Sequence, residues 1–541
     1  MRSTAIAFIA LAAVSVPPAA WAQQTPHLRK KGTATQLVVD GKAMVLLAGE
    51  LHNSSASGAE YMAKAWPRLQ ALNLNAVLAP VSWELVEPEE GKFDFSSVDM
   101  LIEQAREHEM KLGLLWFGSW KNGVSSYCPA WVKRDTRRFP RALGSSNRNT
   151  KDVLTPLSDS NLQADAKAFA SLMRHLRQVD GKQHTVVLVQ VENEVGIKPE
   201  LRDLSELGDR MFAADVPAEL TSYLAARKDA LVPELKAHWQ KAGSRTAGTW
   251  QEVFGPGPQA DEIFSAWHYA RYIHQVARAG KAEYSLPMYA NAWLRGDGKW
   301  GTYPSGGPLA HVMDVWRAAG TDIDFLAPDI YLSDFKGICE EYTQQGNPLM
   351  IPEASADEQA AARAFWAVAE HDAICFAPFG IDRMAGDHPL GDAYAVLGQL
   401  LPLITAAHGS DRMVGIYQQD RSQEQPSKPI MVGSWRANIR YAKRGPLPAY
   451  GLIIQSDQEE FIVAGNGFDV NFSPTAKGPR NCGILSVELG RFEQGKWVCQ
   501  MRLNGDETGA NYRARLPVNP ANPHYEPNRP KILKVRVYRY D

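Results

Sequence analysis

Eight short apolar runs recur between Val45 and Gly380, most of them separated by segments with helical periodicity, and each ends in polar or aromatic residues. Strands buried on both faces read as near-continuous apolar runs, and in a parallel barrel the chemistry gathers where such strands end. The runs end at Gly49-Glu50-Leu51-His52, Val81-Ser82-Trp83-Glu84, Trp116 to Trp120, Glu192-Asn193-Glu194, Asn291-Ala292-Trp293, Asp329-Ile330-Tyr331, Pro352-Glu353 and Pro378-Phe379-Gly380. Residues 60–72, 98–110, 163–177 and 358–369 carry apolar residues at three- and four-residue spacing, the pattern of amphipathic helices. Eight such units predict an α/β fold, a (β/α)8 TIM barrel.

The interval 196–287 is too long for one connection and reads as a helical insertion after the fourth strand, placed to wall a pocket. After about His408 short alternating runs between turn residues take over, as at 451–455, 460–464, 483–487 and 531–537. They predict a smaller all-β, sandwich-like C-terminal domain over 409–541. Residues 517–530 read as an extended surface loop. The catalytic barrel then spans 23–408, after a leader: Arg2, an apolar stretch from Ala5 to Val16, and Ala20-Trp21-Ala22 have the form of a signal peptide, residues 1–22, cleaved after Ala22. The expected location is periplasmic or secreted. That apolar stretch is too short to span a bilayer, and no later run of about twenty apolar residues follows, so no membrane span is expected.

With 58 Lys and Arg against 60 Asp and Glu, the formal charge of −2 offers no excess of cations for nucleic acid. The five cysteines, Cys128, Cys339, Cys375, Cys482 and Cys499, form no CxxC motif, and their odd number leaves at least one thiol free. Cys482 and Cys499 are close enough in sequence to pair across neighbouring strands. There is no GxSxG elbow and no HExxH. Gly490 to Lys496 has the spacing of a phosphate loop, but Trp497 stands where Ser or Thr should bind magnesium. No metal and no cofactor is expected.

The carboxylates at two strand ends explain more. Glu194 closes the run Val186 to Val191 and Glu353 closes Pro348 to Pro352. Two glutamates so placed supply glycoside hydrolysis with an acid/base and a nucleophile or base, whereas taken singly each could be half of a structural ion pair. Asn193 is placed to hydrogen-bond the sugar 2-hydroxyl. His52 is a further candidate for contact with substrate, a satisfied structural histidine being the alternative. Glu50 and Asp329 could bind hydroxyls or pair with an arginine. Tyr331 could orient Glu353 or simply pack. Among the fifteen tryptophans, Trp83, Trp116, Trp120 and Trp293 are candidates for a sugar platform, with wall or core as the alternative for some. Glu192 reads as structural.

These residues resemble clan A of the glycoside hydrolases, whose acid/base is the Glu of an Asn-Glu pair after strand four and whose nucleophile follows strand seven. Gln190-Val191-Glu192-Asn193-Glu194-Val195-Gly196 is similar to the signature of the family 35 β-galactosidases, with Val195 where that family has Tyr. Leu47 to His52 resembles its first-strand Gly-x-x-His, and Trp83 to Phe95 its W-N-x-H-E-P segment, with Glu84 for Asn and Val86 for His. Ser119-Trp120 stands where the family commonly has Glu-Trp. The chain resembles the divergent bacterial branch of that family, with a compact β-rich C-terminal domain. It implies Glu194 as acid/base, Glu353 as nucleophile, no cofactor, and release of terminal β-D-galactose from plant cell-wall oligo- or polysaccharide, xyloglucan side chains included. A clan A enzyme of other specificity, such as a β-glucosidase, β-arabinosidase or endo-acting enzyme, and a non-catalytic carbohydrate-binding protein are the alternatives. Oligomeric state is left open.

Overall fold

The computed structural model describes residues 24–145, 149–442, 447–509, 512–516 and 529–541. The leader and most of the loop at 517–530 lie outside these residues.

The eight apolar runs form one parallel sheet that closes on itself. Its strands are β1 (Leu46–Leu47), β2 (Ala76–Ser82), β3 (Lys111–Lys121), β4 (Val186–Asn193), β5 (Met288–Trp293), β6 (Phe325–Ile330), β7 (Met350–Ala354) and β8 (Cys375–Pro378). Sequential neighbours pair through the sheet, and β8 pairs with β1 through Cys375–Leu46 and Phe376–Leu47. The ring is completed where Leu78 N donates to Gly49 O at 2.9 Å and Leu51 N to Leu78 O at 3.0 Å. Each strand is followed by a helix: α1 (Ala59–Ala71), α2 (Ser96–Glu107), α3 (Asp159–Asp180), α4 (Pro258–Glu283), α5 (Met313–Ala319), α6 (Phe335–Tyr342), α7 (Ala360–Glu370) and α8 (Pro389–Ala407). This is a (β/α)8 barrel.

Two features of the barrel differ from the sequence-based expectation. The interval after β4 is not all insertion: α4 is the barrel's own fourth helix, packed between α3 and α5. Only the short helices Glu206–Ala213, Ala218–Ala226, Pro233–Lys241 and Trp250–Phe254 are added to the plan. At the other end, an antiparallel sheet of His27–Lys31, Ala34–Val39 and Lys42–Met44 precedes β1. Its Leu37 and Val39 pack with Leu46, Leu78, Leu115, Leu188, Phe325 and Met350 inside the barrel. The N-terminal mouth is thereby plugged with apolar side chains, and the polar interior lies at the opposite end.

Beyond α8 the chain builds two antiparallel sheets, one of six strands and one of four, with Ile453, Phe461, Val463, Val535 and Trp435 in the core between them. The domain is a β-sandwich. The outer face of the six-stranded sheet is buried too: Tyr450, Leu452, Ile454, Ile462 and Ile532 join the barrel's helical core. An antiparallel sheet covered on both faces does not alternate buried and exposed positions, so Tyr450–Asp457 and Glu460–Asn466, expected to alternate, are buried along most of their length. All five cysteines are free thiols. Cys482 lies opposite Arg539 and Cys499 opposite Gly490, so the register separates the two that sequence proximity would have paired.

Candidate active site

The C-terminal ends of the barrel strands bring four buried carboxyls together. Glu50 follows β1, Glu194 follows β4, and Asp329 and Glu353 lie in β6 and β7, with relative exposures of 0, 4, 3 and 5%. One oxygen each of Glu194, Asp329 and Glu353 lies within 4.8 Å of the other two. Asp329 and Glu353 are register partners on adjacent strands, which fixes their approach.

Glu194 reaches the barrel mouth because the end of β4 leaves extended geometry. Glu192 and Glu194 have φ of 63° and 46°, in the left-handed region that is uncommon for glutamate. The kink is held by Asn291, whose Oδ1 accepts from Glu194 N at 3.0 Å and whose Nδ2 donates to Asp329 Oδ2 at 2.7 Å. Asn122 Nδ2 donates to Glu194 Oε2. Burial, and then the charge of Glu353, push the Glu194 carboxyl up to about 7, against the opposing pull of Lys121 and of the hydrogen bond with Asp329. Glu353 is oriented by Tyr331, whose hydroxyl donates to Oε2 at 2.6 Å, while its Oε1 is buried without a hydrogen-bond partner. Burial followed by the charge of Glu353 also raises Glu50 and Asp329 well above the usual carboxylate range.

The arrangement separates two roles. A carboxyl titrating near 7 is protonated in much of the neutral range and can deliver a proton, whereas Glu353, fixed by Tyr331, offers a free oxygen to an electrophile beside it. Asn193 is fully buried and both polar atoms of its side chain lack partners, so its amide is available to a ligand hydroxyl.

The other candidates fall into two groups. Trp83, Trp116 and Trp120 are each 0% exposed, and their indole N–H groups are satisfied internally by Glu87, Asp165 and the Leu154 carbonyl. They belong to the core between strands and helices and form no sugar platform; an aromatic residue at a strand end leaves open whether it faces the mouth or the helices. Trp293 is half-buried, with Lys198 Nζ 3.2 Å from its ring centroid. His52 Nδ1 lies 3.0 Å from Asp382 Oδ1, and its ring packs edge-on against Phe379 while remaining partly exposed. Asp382 also accepts from Tyr61 at 2.6 Å and Ser55 at 2.9 Å. Among the described residues neither Glu50 nor Asp329 pairs with an arginine; the cation that faces Glu50 is Lys121.

Lys121, Asn122 and Asn291 are functional-site residues that the sequence reading did not select. Lys121 is 4% exposed, a buried cation at the end of β3. The available signal was a polar residue terminating an apolar run, and at β3 and β5 it was overshadowed by neighbouring tryptophans.

Comparison with known proteins follows the same division of the chain. A model of glycoside hydrolase family 42, described as "Beta-galactosidase", matches residues 56–286, and one described as "Domain of unknown function (DUF5597)" matches 390–515. The first supports clan A without supporting family 35 specifically; the second begins inside α8 and runs through most of the sandwich. A β-galactosidase of Xanthomonas manihotis is 32% identical over 200 residues, 35% of this chain and 29% of that protein. The chain therefore matches less than a third of that relative's length. Among solved structures, the β-galactosidase of Bacillus circulans sp. alkalophilus aligns with TM-score 0.46 and 15% identity, covering 66% of this chain and 57% of its own. The β-galactosidase of Rahnella sp. R3 aligns with TM-score 0.43 and 16% identity, covering 67% and 57%.

Proposed function

We propose that the protein is a retaining exo-β-galactosidase. The observation that carries this reading is the close approach of Glu194 and Glu353 oxygens, within 4.8 Å, with both residues buried at the ends of strands four and seven. Carboxyls about 5 Å apart suit double displacement, whereas an inverting pair stands further apart to admit water. Glu353 attacks the anomeric carbon as Glu194 protonates the departing oxygen, giving a covalent glycosyl-enzyme. Glu194, now a carboxylate, takes a proton from the water that hydrolyses it. Asn193 meets the sugar 2-hydroxyl, a contact that strengthens as positive charge develops on the ring. Burial of the reacting groups supports attack on a single terminal sugar, and the family 42 match together with the sequence resemblance supports galactose.

The finer reading is that the galactose comes from plant cell-wall side chains such as those of xyloglucan, and that the protein works after export. It rests on resemblance to the divergent branch of family 35 and on the leader-like N-terminus. The first test is the initial rate on an aryl β-D-galactoside beside the matching glucoside, arabinoside and xyloside. Turnover of the galactoside alone supports the reading. Turnover of another sugar in its place keeps the mechanism and replaces the substrate, and silence on all four favours a binding protein. Glu194→Ala and Glu353→Ala should each lose activity by several orders of magnitude while keeping the fold, with azide giving a β-glycosyl azide from the first and an α-glycosyl azide from the second.

A further inference from the structure

Glu50 and Asp329 are the two site carboxyls for which the proposed mechanism has no task, and of these Glu50 alone has both oxygens without a hydrogen-bond partner. Its backbone bridges to Leu78 on one side and Phe379 on the other, so its side chain is set from the barrel wall itself. The residue is 0% exposed. Both of its carboxyl oxygens are buried without a hydrogen-bond donor, as is Oε1 of Glu353, and the two side chains are close enough to interact. Two ionised carboxylates are acceptors only, and neither can satisfy the other. One proton between them satisfies one oxygen of each and leaves the second Glu50 oxygen a neutral carbonyl.

The groups that face Glu50 decide which partner carries that proton. They are Glu353 on β7, Lys121 at the end of β3, Glu194 beyond β4, Tyr289 on β5, Asp329 on β6 and Cys375 on β8. Lys121 alone is cationic, and its ammonium rests 5.1 Å from the centroid of the Phe117 ring. Lys198 also faces Glu194, but two positive charges cannot neutralise four buried carboxylates, so some of them must be protonated. Glu353 has the Tyr331 hydroxyl to stabilise its charge, whereas Glu50 has no donor.

We propose that Glu50 is a positioning residue: a permanently protonated carboxylic acid that donates its hydrogen bond to the free Oε1 of Glu353. Tyr331 then holds one oxygen of the nucleophile and Glu50 the other, which fixes the plane of the carboxylate toward the anomeric carbon. Burial and the neighbouring carboxylate favour the neutral form of Glu50, in keeping with that assignment. The positional part of the proposal rests on Glu353 being the nucleophile; the protonation state does not.

The test uses Glu50→Gln, which keeps a neutral donor, and Glu50→Ala, which removes it. In an infrared difference spectrum between the wild type and Glu50→Gln at about pH 8, the band lost should be the C=O stretch of a non-ionised carboxyl. Glu50→Ala should lower kcat about a hundredfold with little change in KM and move the acidic limb of kcat/KM to higher pH; Glu50→Gln should lose less than about tenfold. Loss of carboxylate bands instead, or a Gln variant as impaired as the Ala variant, overturns the proposal. If the wild type turns over no glycoside, the functional reading fails and the infrared result still decides the protonation of Glu50. If Glu50→Ala does not fold, the spectrum and the Gln variant decide it.

Discussion

Glu194 carries the clearest pH consequence. With its carboxyl held at about 7, the proton donor of the proposed mechanism is lost as pH rises through that value, so kcat/KM should fall on the basic side with a midpoint near there. Lys121 pulls Glu194 down, so Lys121→Met should move this basic limb to higher pH. An unchanged limb in a pH–rate profile would remove Lys121 from the electrostatics of the site. The same displacement is a cost to folding. Between the ordinary 4.5 and about 7 the folded protein retains a proton that the unfolded chain has released, so stability declines as pH rises through that window. Glu194→Gln abolishes the titration. Its stability relative to wild type should therefore grow by about 3 kcal/mol between about pH 4 and pH 8, which denaturant melts at the two pH values would measure.

At the scale of the element, the end of β3 decides where the site opens. Its pairing with β4 slips between Trp116 and Lys121, so that Lys121 comes to lie beside Asn193. The slip is held by Glu192, whose carboxyl accepts from Ser119 N at 3.0 Å and Trp120 N at 2.7 Å, and by Asp165 of α3, which accepts from Trp116 Nε1 at 2.9 Å and Ser119 Oγ at 2.6 Å. Glu192 thus ties β4 to β3, and Asp165 ties β3 to the helix layer. Gly118 sits at their meeting point, and a Cβ there would collide with Trp116 Nε1 and the Glu192 carboxyl. Gly118→Ala should cost about 2–3 kcal/mol of stability and displace Lys121, lowering activity as well; a melt and a rate measurement on that variant check both.

At the scale of the molecule, the sandwich completes the barrel. Phe365 of α7 packs on Tyr450 at 5.3 Å between ring centroids, and Gln399 of α8 accepts from Phe492 N at 3.0 Å. Helices α7 and α8 flank the strands that carry Glu353 and lead to Asp382, so the sandwich braces the Glu353 side of the barrel. Because this interface is continuous with the barrel's hydrophobic core, the protein should melt in one cooperative transition by calorimetry, and Tyr450→Ala should lower that transition by the equivalent of about 3–4 kcal/mol without splitting it. Two well-separated transitions in the wild type would contradict this. The barrel itself was legible in the sequence because strands buried on both faces leave unbroken apolar runs, and Glu194 and Glu353 were legible because each ends such a run. Roles that come from what a residue meets were not: Lys121 and Asn122 enter the site through a slip in strand register, Glu50 was legible as a strand-end carboxyl but its pairing with a neighbour some three hundred residues away was not, and Trp83, Trp116 and Trp120 turn toward the helices. Periodicity is a property of the chain alone and determined the elements and their order. The direction of a side chain at a strand end and the protonation of a buried carboxyl depend on which distant groups share its volume, and only the closed barrel decided those.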